Sequence, residues 1–283
     1  MRDISWLSFN ARVLQEAADH TVSIADRLRF LGIFSNNLDE FFRVRVATLN
    51  RMVEFGKEAK MYLESKPANI LKQIQNIVLA HQKEFYRIYN EVLLEMKKEG
   101  VRILNEKQLS KIQKEFVVNF FNEKVRTNVA PLMIKSISEL PLLQDKNIYL
   151  ACILSNSQNS FMNSYSLIEV PTHAIARFII LPSAKGEKNI ILLEDIIRFC
   201  LPNLFTQFGF NQGESEIIKV TRDAELDIDN DVNNNLIESI EKGLKNRKKG
   251  KAVRLVFDKS IQKNLLDYLI KLLNLSSKDH LIP

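Results

Sequence analysis

Four side chains in this sequence suit the carrying of a transferred group: His20, His81, His173 and His280. An imidazole is a nucleophile and a base near neutral pH, but it acts as one only beside a second base, a cluster of charge or a metal. Along the chain none of the four has such company. His81 recurs on the apolar face of a long helical pattern, as a core or boundary residue does, and His20 falls at a helix end, where a cation complements the dipole. His173 follows Pro171 in a loop, and His280 lies close to the last residue. Cys152 and Cys200 sit inside the apolar runs ACIL and RFCL without the close pairing of a zinc or redox motif, and are expected as buried, reduced thiols. No glycine-rich phosphate loop is present. The sequence therefore offers neither a catalytic residue nor a set of metal ligands.

A different chemistry is available at Ser35-Asn36-Asn37-Leu38-Asp39-Glu40-Phe41-Phe42. Small polar residues here follow Gly32 and interrupt a strongly helical run. On local grounds the helix breaks and Asn36 or Asn37 caps the next one, with Asp39 and Glu40 favourably placed against its dipole. The same geometry permits recognition. An asparagine amide carries both a donor and an acceptor and can pair with the edge of a purine. Local physics leaves both readings open for Asn37.

The densest run of cations is Lys242, Lys245, Arg247, Lys248, Lys249, Lys251 and Arg254. It reads as a solvated helix end stopped by Gly250, or else as a guide for a polyanion. Arg222 is expected to pair with Asp223 or Asp227.

These residues need elements to hold them. The first hundred residues read as all-helical. Phe9, Val13 and Ala17 mark one face of a first helix starting near Ser5 or Ser8. Ser23 and Asp26 form a capping-box pattern ahead of a second. From Pro67 to Lys98 the stripe Ile70, Ile74, Ile77, His81, Phe85, Ile88, Val92, Met96 predicts one long helix, with Pro67 in its first turn and Gly100 as its stop. Such a helix must bury its stripe against the earlier ones, giving a helical bundle.

Beyond Gly100, a helix is expected over 108–126. Short β-rich runs follow at 148–154, 166–170, 178–181, 189–193, 217–220 and 252–257, with helices at 193–204, 232–246 and 260–273. The fold class is thus α+β: an N-terminal all-α bundle over 1–101, then an α+β domain with a mainly antiparallel sheet over 102–283.

With 283 residues, 46% hydrophobic and 26% charged, the chain has the balance of an ordinary soluble globular protein. Its net charge of +6 permits a polyanionic partner without demanding one. The apolar runs fall short of the roughly 20 residues that a membrane span requires. Asp3, Asn10 and Arg12 interrupt any signal peptide, so a cytoplasmic location is expected.

Two blocks carry a resemblance. Ile4-Ser5-Trp6-Leu7-Ser8-Phe9-Asn10-Ala11-Arg12-Val13-Leu14-Gln15-Glu16-Ala17, followed by Arg29-Phe30-Leu31-Gly32-Ile33-Phe34 and the Ser35–Phe42 segment, resembles the opening of bacterial polyphosphate kinases of the first type. Val220-Thr221-Arg222-Asp223-Ala224-Glu225-Leu226-Asp227-Ile228, with the strand Val253-Arg254-Leu255, is similar to the second (head) domain of the same family. The resemblance implies reversible transfer of the terminal phosphate of ATP to polyphosphate through a phosphohistidine, with Mg2+. It also implies that Asn37 contacts the nucleotide and that the enzyme is a homodimer or higher homo-oligomer. ATP or ADP and polyphosphate are the implied partners, and nucleic acid is not one. The family's phosphorylated histidine and metal-binding arginines lie in C-terminal domains that would follow Pro283, so these residues alone are expected to be inactive. The other reading is a structural dimerisation module, or one that binds a polyanion or anionic lipid, with Asn37 making no contact with a nucleotide.

Overall fold

The computed structural model describes residues 2–54, 66–134, 143–156, 159–224, 250–275 and 280–282. The expected helix at 232–246, Asp227 and most of the cationic run lie outside them. The architecture is α+β, with N-terminal helices followed by sheets of mostly antiparallel strands.

Packing divides the chain into two compact units, each built from separate stretches. The first comprises Met1–Leu94, Val220–Leu255 and Ser277–Ile282, and the second Glu95–Lys219 with Val256–Ser276.

In the first unit, α1 (Arg2–Ala18) and α2 (Ile24–Phe41) lead into a π-helical turn (Phe42–Val46) and α3 (Ala47–Glu54), followed by α4 (Pro67–Lys98), which belongs here as far as Leu94. Helix α1 begins before Ser5 and Ser8, so neither caps it; Ser8 Oγ instead donates back to the Ile4 carbonyl at 3.2 Å. Its buried face is Leu7, Asn10, Leu14 and Ala17. Phe9, expected on that face, is 62% exposed. The buried stripe is turned by about one residue from the expected one, and it carries Asn10 inward.

Ser23 caps α2 as expected, its oxygen accepting from the Asp26 N–H at 3.2 Å. The break expected at Asn36 or Asn37 does not occur. Ile24 to Glu54 runs helical throughout, and the backbone turns π-helical only at Phe42, beyond the asparagines. Glycine and asparagine each cost a helix about 1 kcal/mol or less. Burying Leu31, Phe34, Leu38 and Phe41 along one face recovers several times that amount. The polar run is the outer face of a continuous helix, so the capping role is withdrawn for both asparagines.

Helix α4 has the expected bounds and buries Ile70, Ile74, Val78, Ile88 and Val92. Phe34 of α2 meets the rings of His81 at 6.2 Å and Phe85 at 5.9 Å, which packs the long helix on the earlier one. Gly100 stops it at φ 78°, and a Cβ there would lie 2.9 Å from the Gly186 carbonyl oxygen. Only glycine suits that turn.

The described strands form two sheets. In the smaller, β1 (Val101–Leu104) pairs parallel with β6 (Lys188–Leu192), which pairs antiparallel with β5 (Phe178–Leu181). Strand β1 was missing from the expected set, because four residues after a helix carry too little alternation to read. The larger sheet has the order β2 (Leu132–Ile134), β4 (Asn159–Glu169), β3 (Tyr149–Asn156), β7 (Gln212–Arg222), β8 (Ala252–Phe257) and β9 (His280–Ile282). Residues 220–222 of β7, 252–255 of β8 and the whole of β9 belong to the first unit, and the other strands to the second.

Helix α5 (Lys111–Phe120) starts at a capping box of Ser110 and Gln113. It passes into a π turn at Phe121–Val125 and ends with a 3-10 turn at Arg126–Asn128, ahead of Pro131. The expected helix at 193–204 is two, α6 (Leu193–Phe199) and α7 (Leu201–Phe205), and α8 (Lys263–Leu272) closes the set. Val117, Phe121, Leu150, Leu154, Ile168, Ile191 and Ile196 are fully buried between these layers. Both cysteines are buried and free, and burial pushes each thiol up to about 12, which leaves them inert.

Candidate functional site

The site is built from two side-chain amides and one backbone carbonyl of α1 and α2. Asn10 is a polar side chain on the buried stripe of α1, with no exposed surface. Such a group must be hydrogen-bonded to be tolerated there. Its Nδ2 donates to the Phe34 carbonyl at 3.2 Å, and its Oδ1 accepts from Asn37 Nδ2 at 3.0 Å. Asn37 is half-buried at the surface end of this chain. Among the described residues its Oδ1 has no hydrogen-bond partner, so one acceptor and one N–H stand ready for a ligand.

Two residues further on, the helix is anchored from across the sequence. Asp39 accepts from Arg254 Nη1 at 3.0 Å, and the guanidinium lies 4.7 Å over the Phe42 ring. Burial lowers the guanidinium to about 10, and Asp39 counters that shift, so Arg254 stays charged at neutral pH. Arg254 is therefore not part of a solvated helix end: it lies in β8 and is 4% exposed. Nearby, Arg51 of α3 pairs with Asp223, Ala224 N–H donates to the Arg43 carbonyl at 3.1 Å, and Arg222 donates to the Gly250 carbonyl at 2.8 Å. The two blocks that carry the resemblance thus meet in one unit. Trp6 stacks on Phe41 with ring centroids 4.6 Å apart, which closes the same helix end from the α1 side.

The histidines are dispersed. His20 lies in the turn after α1, its Nδ1 3.4 Å from Nη1 of the buried Arg27, whose Nε donates to the Ala17 carbonyl. His81 faces Phe34, and its buried Nδ1 has no hydrogen-bond partner among the described residues. Burial holds its pKa below the usual histidine value, so it is neutral at pH 7. His173 is exposed in a loop, and the His280 side chain lies outside what is described. Among the described residues, no group of three or more His, Cys, Asp or Glu side chains is placed to hold a metal.

The second unit carries its own charge cluster. Arg198 meets Asp195 at 2.5 Å, Glu106 at 3.6 Å and Asp258 at 3.8 Å, and Arg177 pairs with the fully buried Glu194. Burial raises Asp195 to about 7, only partly opposed by Arg198 and reinforced by Glu106, Glu194 and Asp258. A carboxyl whose folded pKa is raised stabilises fully below its unfolded value and loses that contribution as pH climbs through the folded one. His81 acts in the opposite sense, since its lowered pKa favours the fold above about 6.5 and costs stability below it. Acidification from pH 7 to 5 is therefore expected to tighten the second unit and loosen the first. Hydrogen exchange of β3 and α4 amides, corrected for intrinsic rates, reads the two separately. Asp195→Asn should flatten the β3 trend, whose slope is at most about 1.4 kcal/mol per pH unit.

Sequence reasoning pointed to Asn37 but missed Asn10 and Asp39–Arg254. A usable signal for Asn10 was present: a lone amide between Leu7 and Leu14 on an apolar stripe. The Arg254 pairing spans 215 positions and has no local signal.

Comparisons with known proteins agree across the chain. The family model described as the polyphosphate kinase N-terminal domain matches residues 1–104, and that of the polyphosphate kinase middle domain matches residues 112–283. The polyphosphate kinase of Vibrio parahaemolyticus is 39% identical over 286 aligned positions, covering 100% of this chain and 40% of that protein. The Escherichia coli K12 polyphosphate kinase is 36% identical, with 100% of this chain and 41% of that protein covered. The crystal structure of polyphosphate kinase from Porphyromonas gingivalis superposes with a TM-score of 0.79 at 29% identity, over 99% of this chain and 38% of that one. The chain thus spans about two fifths of the length of the curated relatives it matches.

Proposed function

The chain belongs to the polyphosphate kinase family, and from that premise we propose that these residues supply the nucleotide contact of an enzyme that moves the terminal phosphate of ATP onto polyphosphate. Phosphoryl transfer itself, through a phosphohistidine, falls to domains beyond those matched here. Magnesium belongs with the phosphates in that reaction. No described group fits the ion, and no step is assigned to it. Homo-oligomerisation and a cytoplasmic location, where ATP is made and used, go with the assembled enzyme.

The observation that carries this reading is the amide of Asn37. It is half-buried, held from behind by the buried Asn10, and has an acceptor and a donor uncommitted at the surface. Its inner side is fixed by Asn10, and its outer side is open to solvent or a ligand.

The test is Asn37→Ala in the chain joined to the downstream kinase domains. Two lost hydrogen bonds of about 0.7 kcal/mol each predict a KM for ATP raised about tenfold. The kcat should be unchanged, as for a contact made equally in ground and transition states. The melting temperature should stay within about 2 °C, because truncating the half-buried Asn37 side chain opens the Asn10 Oδ1 to water, which takes the place of the lost amide. An unchanged KM with a lower melting temperature would return Asn37 to a structural role.

A further inference from the structure

We infer that Asn10 is a positioning residue that fixes which way round the Asn37 amide faces, and that it thereby makes the site selective for a purine with an amino group at position 6. The inference rests on the reading that Asn37 meets the nucleotide.

The direction of each hydrogen bond follows from the one group that cannot change. The Phe34 carbonyl can only accept, so the end of the Asn10 amide that meets it at 3.2 Å must be nitrogen. The oxygen of Asn10 then faces Asn37, and Asn37 must meet it with nitrogen at 3.0 Å. Turning either amide over would set oxygen against oxygen or nitrogen against nitrogen. Asn10 is wholly buried, so water cannot relieve such a mismatch at its end. The order of donor and acceptor that Asn37 presents is therefore set by a helix carbonyl two links away.

A free surface amide turns over at little cost and serves either order of partner groups. A locked one does not. Asparagine pairs with adenine by accepting from the 6-amino group and donating to a ring nitrogen. A 6-oxo purine in the same frame puts a carbonyl against the Asn37 oxygen, and a site built to hydrogen-bond one group rejects a ligand that leaves it unpaired. Asn10 touches no ligand, and its effect runs entirely through Asn37.

Two measurements on the assembled kinase test this. On the unsubstituted enzyme, KM values for ATP, purine riboside triphosphate and inosine triphosphate are compared. Purine riboside triphosphate has no group at position 6, so it loses one hydrogen bond, while the inosine nucleotide also brings a repelled carbonyl. KM is expected to rise in that order, the last about tenfold over the second. An amide free to turn over would bind the inosine nucleotide at least as well as the riboside, and that result would overturn the inference. The second measurement uses Asn10→Leu and Asn10→Ala, whichever keeps its melting transition. The ratio of inosine to ATP KM should fall about fivefold at unchanged kcat. A merely structural Asn10 would raise both KM values together and leave the ratio as it was, which would equally overturn it. The outcomes separate the two claims. If Asn37→Ala leaves ATP KM untouched, the nucleotide reading falls and takes the inference with it. If Asn37→Ala raises KM while the nucleotide ratios stay flat, only the role of Asn10 falls.

Discussion

Incubated with ATP, magnesium and polyphosphate, the 283-residue chain alone is expected to transfer no phosphate above the uncatalysed background. Phosphoryl transfer asks for a nucleophile or an aligned acceptor, and for cations clustered on the transferred group. Neutral His81 is packed against Phe34, His20 lies beside the buried Arg27, and His173 stands in an exposed loop. Arg254, a member of the densest cationic run, is committed to Asp39 and to the Phe42 ring. Assay with γ-labelled ATP, before and after joining the chain to the downstream domains, checks this directly. Turnover by the chain alone would mean that a transfer site lies within these residues. A chain that gains turnover only when joined places the chemistry downstream.

The second large effect is on stability. Arg254→Ala is expected to cost the first unit about 3–5 kcal/mol, the range for deleting one partner of a buried ion pair. The loss has two parts. Asp39, itself mostly buried, gives up the guanidinium at 3.0 Å, and Phe42 gives up a cation over its face. Arg254→Lys keeps the charge but loses the planar fork and the stacking, and should fall between alanine and the native residue. The double change Asp39→Leu with Arg254→Met should recover much of the loss, because a buried pair replaced on both sides leaves no charge stranded. Trp6 is the one tryptophan in the chain, and it stacks on Phe41 beside this pair. Urea unfolding followed by its fluorescence therefore reports the unit in question. A loss below about 1 kcal/mol for Arg254→Ala would show that the pair contributes little to holding the helix end.

What the sequence made legible, and what it concealed, follows the range of the interactions. The long helix over Pro67–Lys98 was readable to the residue because proline, a sustained stripe and Gly100 all act locally. Strands at Phe178–Leu181 and Ala252–Phe257 were readable because each is a short apolar run bounded by polar turns. Residues 35–37 misled, since a polar outer face on a continuous helix looks the same in sequence as a capped break. Only the burial of Leu31, Phe34, Leu38 and Phe41 on the other side decides between them. At the candidate site, Asn37 was named through resemblance. The amide that holds it lies 27 positions earlier and the cation anchoring its helix 215 positions away from Asp39, distances that pattern reasoning does not reach. The same contacts changed the meaning of the motif. Its asparagine is the residue proposed for recognition, while its aspartate and second phenylalanine serve the joint with β8.

The central claim is that α2 meets the nucleotide, and photolabelling by 8-azido-ATP tests it most directly. In the assembled kinase the label should be recovered on the tryptic peptide from Phe30 to Arg43, which carries Asn37, and excess ATP should suppress it. Labelling confined to the downstream domains, with this peptide recovered unmodified, would contradict the account.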